Sequence, residues 1–127
     1  MDSGEKYEVV QDNIPINIDN RKFSAVSNSE GGEVNEQTIF HYRQRGDLIW
    51  ATYSGGNIKF GTITGKFREN GFIEFAYQHL NNQNEIMTGK VVSKPEILED
   101  GRIRFQESWQ WTCKDYATGE SIVEEIP

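Results

Sequence analysis

The run from Ile103 to Trp111 holds the side chains best suited to bind or transform a small molecule. It reads Ile-Arg-Phe-Gln-Glu-Ser-Trp-Gln-Trp, so apolar and polar residues alternate, with Glu107 in the place of an apolar one. A two-residue period predicts a β-strand with one apolar and one wet face. Glu107 would then share the apolar face with Phe105, Trp109 and Trp111. A carboxyl group in that position needs a polar partner or a bound molecule.

Three roles are open for Glu107. Burial raises the pKa of a carboxyl group, and an unpaired buried charge costs about several kcal/mol. Lys90, His79 or a tyrosine hydroxyl could supply the partner, and the carboxyl would then fix the register of neighbouring strands. The second role is to anchor a ligand, and the third is catalysis.

The other alternating runs suggest which side chains surround Glu107. Tyr77 and His79 share the more aromatic face of their run. The provisional interior also takes in the faces of Tyr42 (with Phe40 and Gln44), Trp50 (with Thr52 and Ser54) and Lys90 (with Ile86, Thr88 and Val92). The predicted ligand-binding residues are Tyr42, Trp50, Tyr77, His79, Glu107 and Trp109. If these residues bind a ligand, we expect a cavity of about 300 Å³ or more beside Glu107. A packed core with buried tyrosine hydroxyls would give the same sequence pattern.

Other chemistry has little support in the residues. His41, His79 and the single cysteine, Cys113, are far apart in the sequence, so we predict no metal site. The segment from Gly56 to Gly61 lacks the Lys-Ser/Thr of a phosphate-binding loop. We predict no catalytic residue and no cofactor, although enzymatic activity stays open.

The elements that would position these residues are short strands separated by turn signals. From Lys22 onward eight runs are divided by sequences such as Gly55-Gly56 and Asn70-Gly71, which are typical of hairpins. The pattern predicts an all-β fold, an antiparallel up-and-down meander closing into a calycin- or lipocalin-like barrel. A curled open sheet or a β-sandwich is the alternative. Residues 1–20 are interpreted as a partly ordered extension with one edge strand near Ile14–Ile18, and residues 21–127 as one domain.

Glycines and a proline mark irregular places in this pattern. Gly61, Gly65 and Gly89 fall inside strand runs, which predicts bulges, bends or close backbone approaches. The stretch Lys94–Glu99 contains Pro95 and is interpreted as a link with at most one helical turn.

The composition of the chain limits the kinds of partner that it could bind. The 127 residues carry 13 basic and 20 acidic side chains, a net charge of −7, which argues against nucleic-acid and anionic membrane surfaces. No apolar run approaches the roughly 20 residues of a membrane span. The charged N-terminus and single cysteine predict a cytoplasmic protein. The oligomeric state stays open.

Residues 32–126 resemble a group of small, uncharacterised bacterial all-β proteins. The matching motifs include Ile49-Trp-Ala-x-Tyr-Ser-Gly-Gly56, Phe75-x-Tyr77-Gln-His79 and Glu107-x-Trp109-Gln-Trp111. Members of this group often carry the label N-acetylglutamate synthase, so the resemblance implies that acetyltransferase activity. An acetyltransferase, however, needs an Arg/Gln-x-x-Gly-x-Gly/Ala turn opening a helix. The nearest segment, Arg43–Leu48, ends differently and lies between two strand runs.

Our interpretation is therefore a non-enzymatic barrel that binds a small, partly apolar molecule. The alternative is a protein-interaction module with a filled interior, and a more remote one is an acetyltransferase.

Overall fold

A computed structural model describes residues 16–127 as a closed antiparallel barrel of eight strands. The strands follow one another around the barrel in chain order, and the last pairs with the first. Their bounds are β1 Arg21–Asn28, β2 Ile39–Arg45, β3 Leu48–Gly55, β4 Ile58–Phe67, β5 Ile73–Asn81, β6 Ile86–Ile97, β7 Ile103–Trp111 and β8 Thr118–Glu125. The predicted up-and-down barrel is thus confirmed. Within the described residues, no helix has the length and apolar character required to cross a membrane.

The interior follows the alternation of the sequence. In β7 the odd-numbered residues point inward, and the ring of Phe105 stacks on Phe23 at 4.7 Å and lies 5.5 Å from Tyr42. These three rings are almost completely buried. They form an aromatic core in the part of the barrel away from the pocket described below.

Four inward-facing glycines make room for large aromatic rings on adjacent strands. The register pairs are Tyr53 with Gly61, Phe75 with Gly65, Tyr77 with Gly89 and Trp109 with Gly119. A Cβ atom on Gly89 would lie 2.1 Å from the Tyr77 hydroxyl, and one on Gly119 would lie 2.2 Å from the Trp109 ring. The rings of Tyr53, Tyr77 and Trp109 therefore need a glycine opposite them, whereas a Cβ atom on Gly65 would meet the Glu74 carbonyl oxygen and Cβ of Phe75. Of the three close approaches predicted, those at Gly61 and Gly89 involve tyrosine side chains, and the one at Gly65 involves the Glu74 backbone carbonyl as well as the Phe75 Cβ.

The two ends of the barrel are closed differently. At one end, Ile16 and Ile18 pack into the core, and the Ile18 backbone N–H donates to Gln44 Oε1 at 2.8 Å. Residues 16–18 form no strand, so the edge strand predicted there is not found in its described part; the rest of it lies outside the described residues. The core thus includes two residues of the predicted extension.

The opposite end, here called the mouth, is covered by the long loop that joins β1 to β2, residues 29–38. β1 pairs with β2 only from Arg21 to Ser24, whereas its later residues pair with β8. The chain consequently leaves β1 at the rim and crosses the mouth before β2 begins.

The link predicted around Pro95 is wrong, because β6 continues to Ile97. β5 pairs with β6 only as far as Ser93, so Pro95 faces a partner strand on one side only, where it is opposite Phe105. A missing backbone N–H is tolerated at such an edge.

Candidate functional site

A pocket of about 50 Å³ lies beneath the mouth of the barrel. It is lined by four of the predicted residues, Tyr77, His79, Glu107 and Trp109, together with Tyr53 and Trp111. A water molecule takes up roughly 30 Å³ of liquid, so the space suits one or two waters. The space inside the barrel is therefore smaller than the expected 300 Å³, because aromatic rings and the β1–β2 loop fill most of the mouth. A wider groove of about 570 Å³ also reaches Glu107 and Ser121, but it is bordered mainly by outward-facing residues such as Gln106 and Glu120.

Glu107 points into this pocket from β7. Burial raises the pKa of its carboxyl group to about 7, and the hydrogen bond from Ser121 opposes that rise. The Ser121 hydroxyl donates to Glu107 Oε1 at 3.2 Å. The residue is half-buried overall because it borders the pocket. Near neutral pH the carboxyl is therefore present in both protonation states.

Ser93 adds an unsatisfied polar group next to Glu107. Its register partner on β7 is Glu107, whose partner on β8 is Ser121, so the three side chains form an inward-facing row across three strands. Ser93 is fully buried, and its hydroxyl has no hydrogen-bond partner within the described part of the chain. Buried polar atoms are rarely left unpaired. This row adds three polar side chains to the inner wall of the barrel, two of which, Glu107 and Ser121, line the pocket.

His79 connects the pocket to the mouth through two hydrogen bonds. Its Nε2 lies 2.8 Å from Glu33 Oε1, and its Nδ1 lies 2.8 Å from the Tyr53 hydroxyl. Because a carboxylate only accepts, Nε2 carries the ring proton and the Tyr53 hydroxyl donates to Nδ1. Burial lowers the pKa of His79, opposed by the hydrogen bond to Glu33, so the neutral ring is favoured.

A hydrogen-bonded chain runs from the Tyr53 hydroxyl through the His79 imidazole to the Glu33 carboxylate. Burial raises the pKa of Tyr53 far above its ordinary value, with smaller contributions from Tyr77 and Glu33. The phenol therefore stays protonated and donates its hydrogen bond to His79 Nδ1. The arrangement holds polar groups in fixed orientations, which suits binding.

The two tryptophans of the pocket are held by hydrogen bonds at their indole nitrogens. Trp109 Nε1 donates to Asn28 Oδ1 at 2.9 Å, and Trp111 Nε1 donates to the Gly31 carbonyl at 3.2 Å. Their ring centroids are 5.8 Å apart. Trp111 also contacts Tyr77 and His79 edge-on at 5.9 Å. The aromatic wall is thus rigid and continuous.

Two predicted pocket residues lie elsewhere. The expectation that Trp50 faces inward is wrong, because Ile49, Ala51 and Tyr53 occupy the inner face of β3. Trp50 lies on the outer face, with the guanidinium of Arg43 5.9 Å from its ring centroid. Tyr42 does face inward, but it is packed in the aromatic core and does not line the pocket.

The predicted partners of Glu107 are also corrected. The interior of β6 is formed by Met87, Gly89, Val91 and Ser93, so the face containing Lys90 is outside the barrel. His79 is engaged with Glu33 and Tyr53. A serine hydroxyl from the next strand supplies the contact in their place.

Sequence reasoning missed Glu33, Asn28 and Tyr53. Tyr53 could have been found from the apolar alternation Ile49, Ala51, Tyr53. Glu33 and Asn28 lie in or next to a loop, where no periodicity shows which way a side chain points. No group of three His, Cys, Asp or Glu residues within 16–127 is arranged to hold a metal ion.

The segment considered for an acetyltransferase turn is a hairpin. Arg43–Leu48 spans the end of β2 and the start of β3, and Gly46 adopts a φ of 60° in the turn. No helix follows it within the described residues. The geometry needed to bind pyrophosphate at a helix N-terminus is therefore missing from this segment.

Comparison with known proteins gives one family. Residues 16–126 match the avidin-like protein family, so the match covers the whole barrel and begins at the core residue Ile16. No curated protein and no solved structure matches the chain. Because the match takes in nearly all of the sequence, the chain belongs to the avidin-like family.

Proposed function

We propose that this barrel is a non-enzymatic receptor for one small, partly apolar molecule, bound beneath the mouth. The observation that carries the proposal is the pocket where aromatic rings surround the Glu107 carboxyl, whose pKa is raised by burial. Ser93, the register partner of Glu107 on β6, has a hydroxyl with no hydrogen-bond partner among residues 16–127. Family membership supports it, since avidin-like proteins bind small ligands such as biotin.

Each group has a distinct part in such binding. Trp109, Trp111 and Tyr77 would cover the apolar portion of the ligand. Glu107 would orient a polar portion, as a hydrogen-bond acceptor when ionised and as a donor when protonated. The Ser93 hydroxyl is available to a ligand or an ordered water that reaches it. Because the pocket holds about 50 Å³, binding requires the mouth to open.

Isothermal titration calorimetry with biotin as the first probe tests this function. We expect saturable binding at one site per chain. Glu107→Gln should weaken it about tenfold or more, because a hydrogen bond to a charged group contributes about 1.5–3 kcal/mol. Trp50→Phe, on the outer face, is the matched control and should leave affinity unchanged. Equal affinities for the Glu107 variant and the wild type would contradict the proposed site.

A protein-interaction module is the second candidate, and the small size of the pocket favours it. An apolar stripe crosses the outer face at the mouth end, where Phe60, Leu80 and Ile86 are register neighbours on three strands. Phe60 is 55% exposed and Ile86 is 71% exposed. Under this alternative, Phe60→Ser would abolish binding of a protein partner, and the Glu107 variant would have no effect on it.

A further inference from the structure

The β1–β2 loop closes the mouth through several directed contacts. The Gly31 carbonyl accepts from Trp111, and the Val34 carbonyl accepts from Asn28 Nδ2 at 3.1 Å. The Val34 side chain packs against the core, and Asn57 donates to the Glu33 carbonyl at 3.3 Å. The loop thus acts as a plug whose polar atoms are bound to the rim.

The carboxylate of Glu33 is the part of this plug that borders the pocket with a charged group. His79 Nε2 donates to one oxygen at 2.8 Å, and Asn81 Nδ2 donates to the other at 3.1 Å. The His79 side chain is 1% exposed, whereas that of Glu33 is 23% exposed. The Tyr53 hydroxyl holds the imidazole in place through its hydrogen bond to the other ring nitrogen, Nδ1. Two buried donors on β5 are therefore preoriented for a carboxylate at the edge of the pocket.

We propose that Glu33 is a built-in competitor, and that the ligand is a small carboxylic acid with an apolar body. Its carboxylate would replace that of Glu33 on His79 and Asn81, and its apolar part would occupy the space that Glu33 and Val34 leave. This inference rests on the proposed function and specifies its ligand class.

The energetics favour a carboxylate over a neutral head group. Moving Glu33 away leaves the His79 Nε2–H without an acceptor, whereas Asn81 Nδ2 loses one of its two carboxylate partners and keeps Glu85 Oε1 at 3.0 Å. A buried unsatisfied donor costs about 1–3 kcal/mol. An incoming carboxylate satisfies both donors with charge-assisted hydrogen bonds, which are stronger than those to a neutral oxygen. An alcohol oxygen is neutral, so its hydrogen bonds with these donors are weaker, and its own O–H needs a further acceptor. It therefore recovers less of the cost.

Octanoate and octan-1-ol, which share the same apolar chain length, provide the test. Their affinities are measured by calorimetry for the wild type, Glu33→Ala and the control Glu36→Ala, an exposed residue of the same loop. We expect Glu33→Ala to bind octanoate about tenfold more tightly than the wild type, equivalent to about 1.4 kcal/mol. Octan-1-ol should gain much less, and Glu36→Ala should behave as wild type.

A second variant and a second readout keep the inference testable if Glu33→Ala folds poorly. Glu33→Gln retains an acceptor without the charge and should show an intermediate gain. In the wild type, saturating octanoate should speed backbone hydrogen exchange in residues 31–37, because the plug is displaced. Unchanged or slower exchange would overturn the inference.

The outcomes separate this inference from the proposed function. Equal gains for octanoate and octan-1-ol, or no gain in Glu33→Ala, overturn the carboxylate competition while the pocket remains a receptor. Failure of the proposed function appears differently, as absence of binding of octanoate, octan-1-ol and biotin in every variant, and it overturns both.

Discussion

Replacing Glu107 with glutamine should remove a pH dependence of stability that this one carboxyl creates. Burial raises its pKa from 4.5 to about 7 in the folded barrel. In the unfolded chain the group ionises near its ordinary value. Between these two values the folded state binds more protons than the unfolded state, so the free energy of unfolding falls as pH rises.

The size of the effect follows from the two pKa values. The interval from 4.5 to about 7, at about 1.4 kcal/mol per pH unit, gives about 3 kcal/mol. This contribution is fully present below pH 4.5 and is lost by about pH 7. Glutamine keeps an oxygen for the Ser121 hydroxyl and stays neutral at every pH. Glu107→Gln should therefore gain about 3 kcal/mol relative to wild type between pH 4.5 and pH 8.

Urea unfolding at a series of pH values measures the difference. The exposed Glu99→Gln serves as a control, since that side chain lies in the β6–β7 loop, away from the pocket. The difference between the variant and the wild type cancels the contributions of carboxylates such as Asp100 and Glu74, whose pKa values are lowered by hydrogen bonds from arginines. A difference that stays constant across this range would refute the assignment of a buried, protonatable Glu107.

Three further results are expected from the same unfolding and fluorescence measurements. Gly119→Ala should destabilise the barrel by about 1–3 kcal/mol, because the new Cβ meets the Trp109 ring, whereas the exposed neighbour Thr118→Ala should change stability by less than about 0.5 kcal/mol. A loss no larger than that of the Thr118 variant would contradict the ring-over-glycine packing. Trp50→Phe should remove most of the tryptophan emission that iodide quenches, since the other two indoles are buried. If iodide quenched the variant as strongly as the wild type, the outer position of Trp50 would be contradicted. Ser93→Ala should leave stability unchanged or raise it by up to about 1 kcal/mol, because its hydroxyl has no partner in the described structure; a loss of more than about 1 kcal/mol would reveal a hidden one.

The barrel could be predicted because period-two patterns and hairpin turns act locally. Strand β7 shows this best, since its five odd-numbered residues face inward as the alternation requires. The inner face of β3 was harder, because Trp50 is more hydrophobic than Ala51 yet lies outside. Cross-strand packing decides that case: Tyr53 needs Gly61 opposite it, and this register fixes the inner face as the Ile49, Ala51, Tyr53 set.

The site was only partly predictable for a related reason. Tyr77, His79, Glu107 and Trp109 meet because they lie on regular strands. Glu33 reaches His79 across 46 residues of sequence from a loop, and the Ser93–Glu107–Ser121 row depends on the registers of three strands. Neither arrangement leaves a periodic signal. The plug also explains why a mouth with an aromatic, binding-like lining holds so little free volume.

Native mass spectrometry of the freshly purified protein shows whether the barrel is a receptor, because it counts the small molecules bound to each chain. We expect a single noncovalent adduct, either retained from the cell or acquired from a small-molecule extract. That adduct should disappear on denaturation and be diminished in Glu107→Gln. A chain that shows only its own mass under all these conditions would contradict a receptor function.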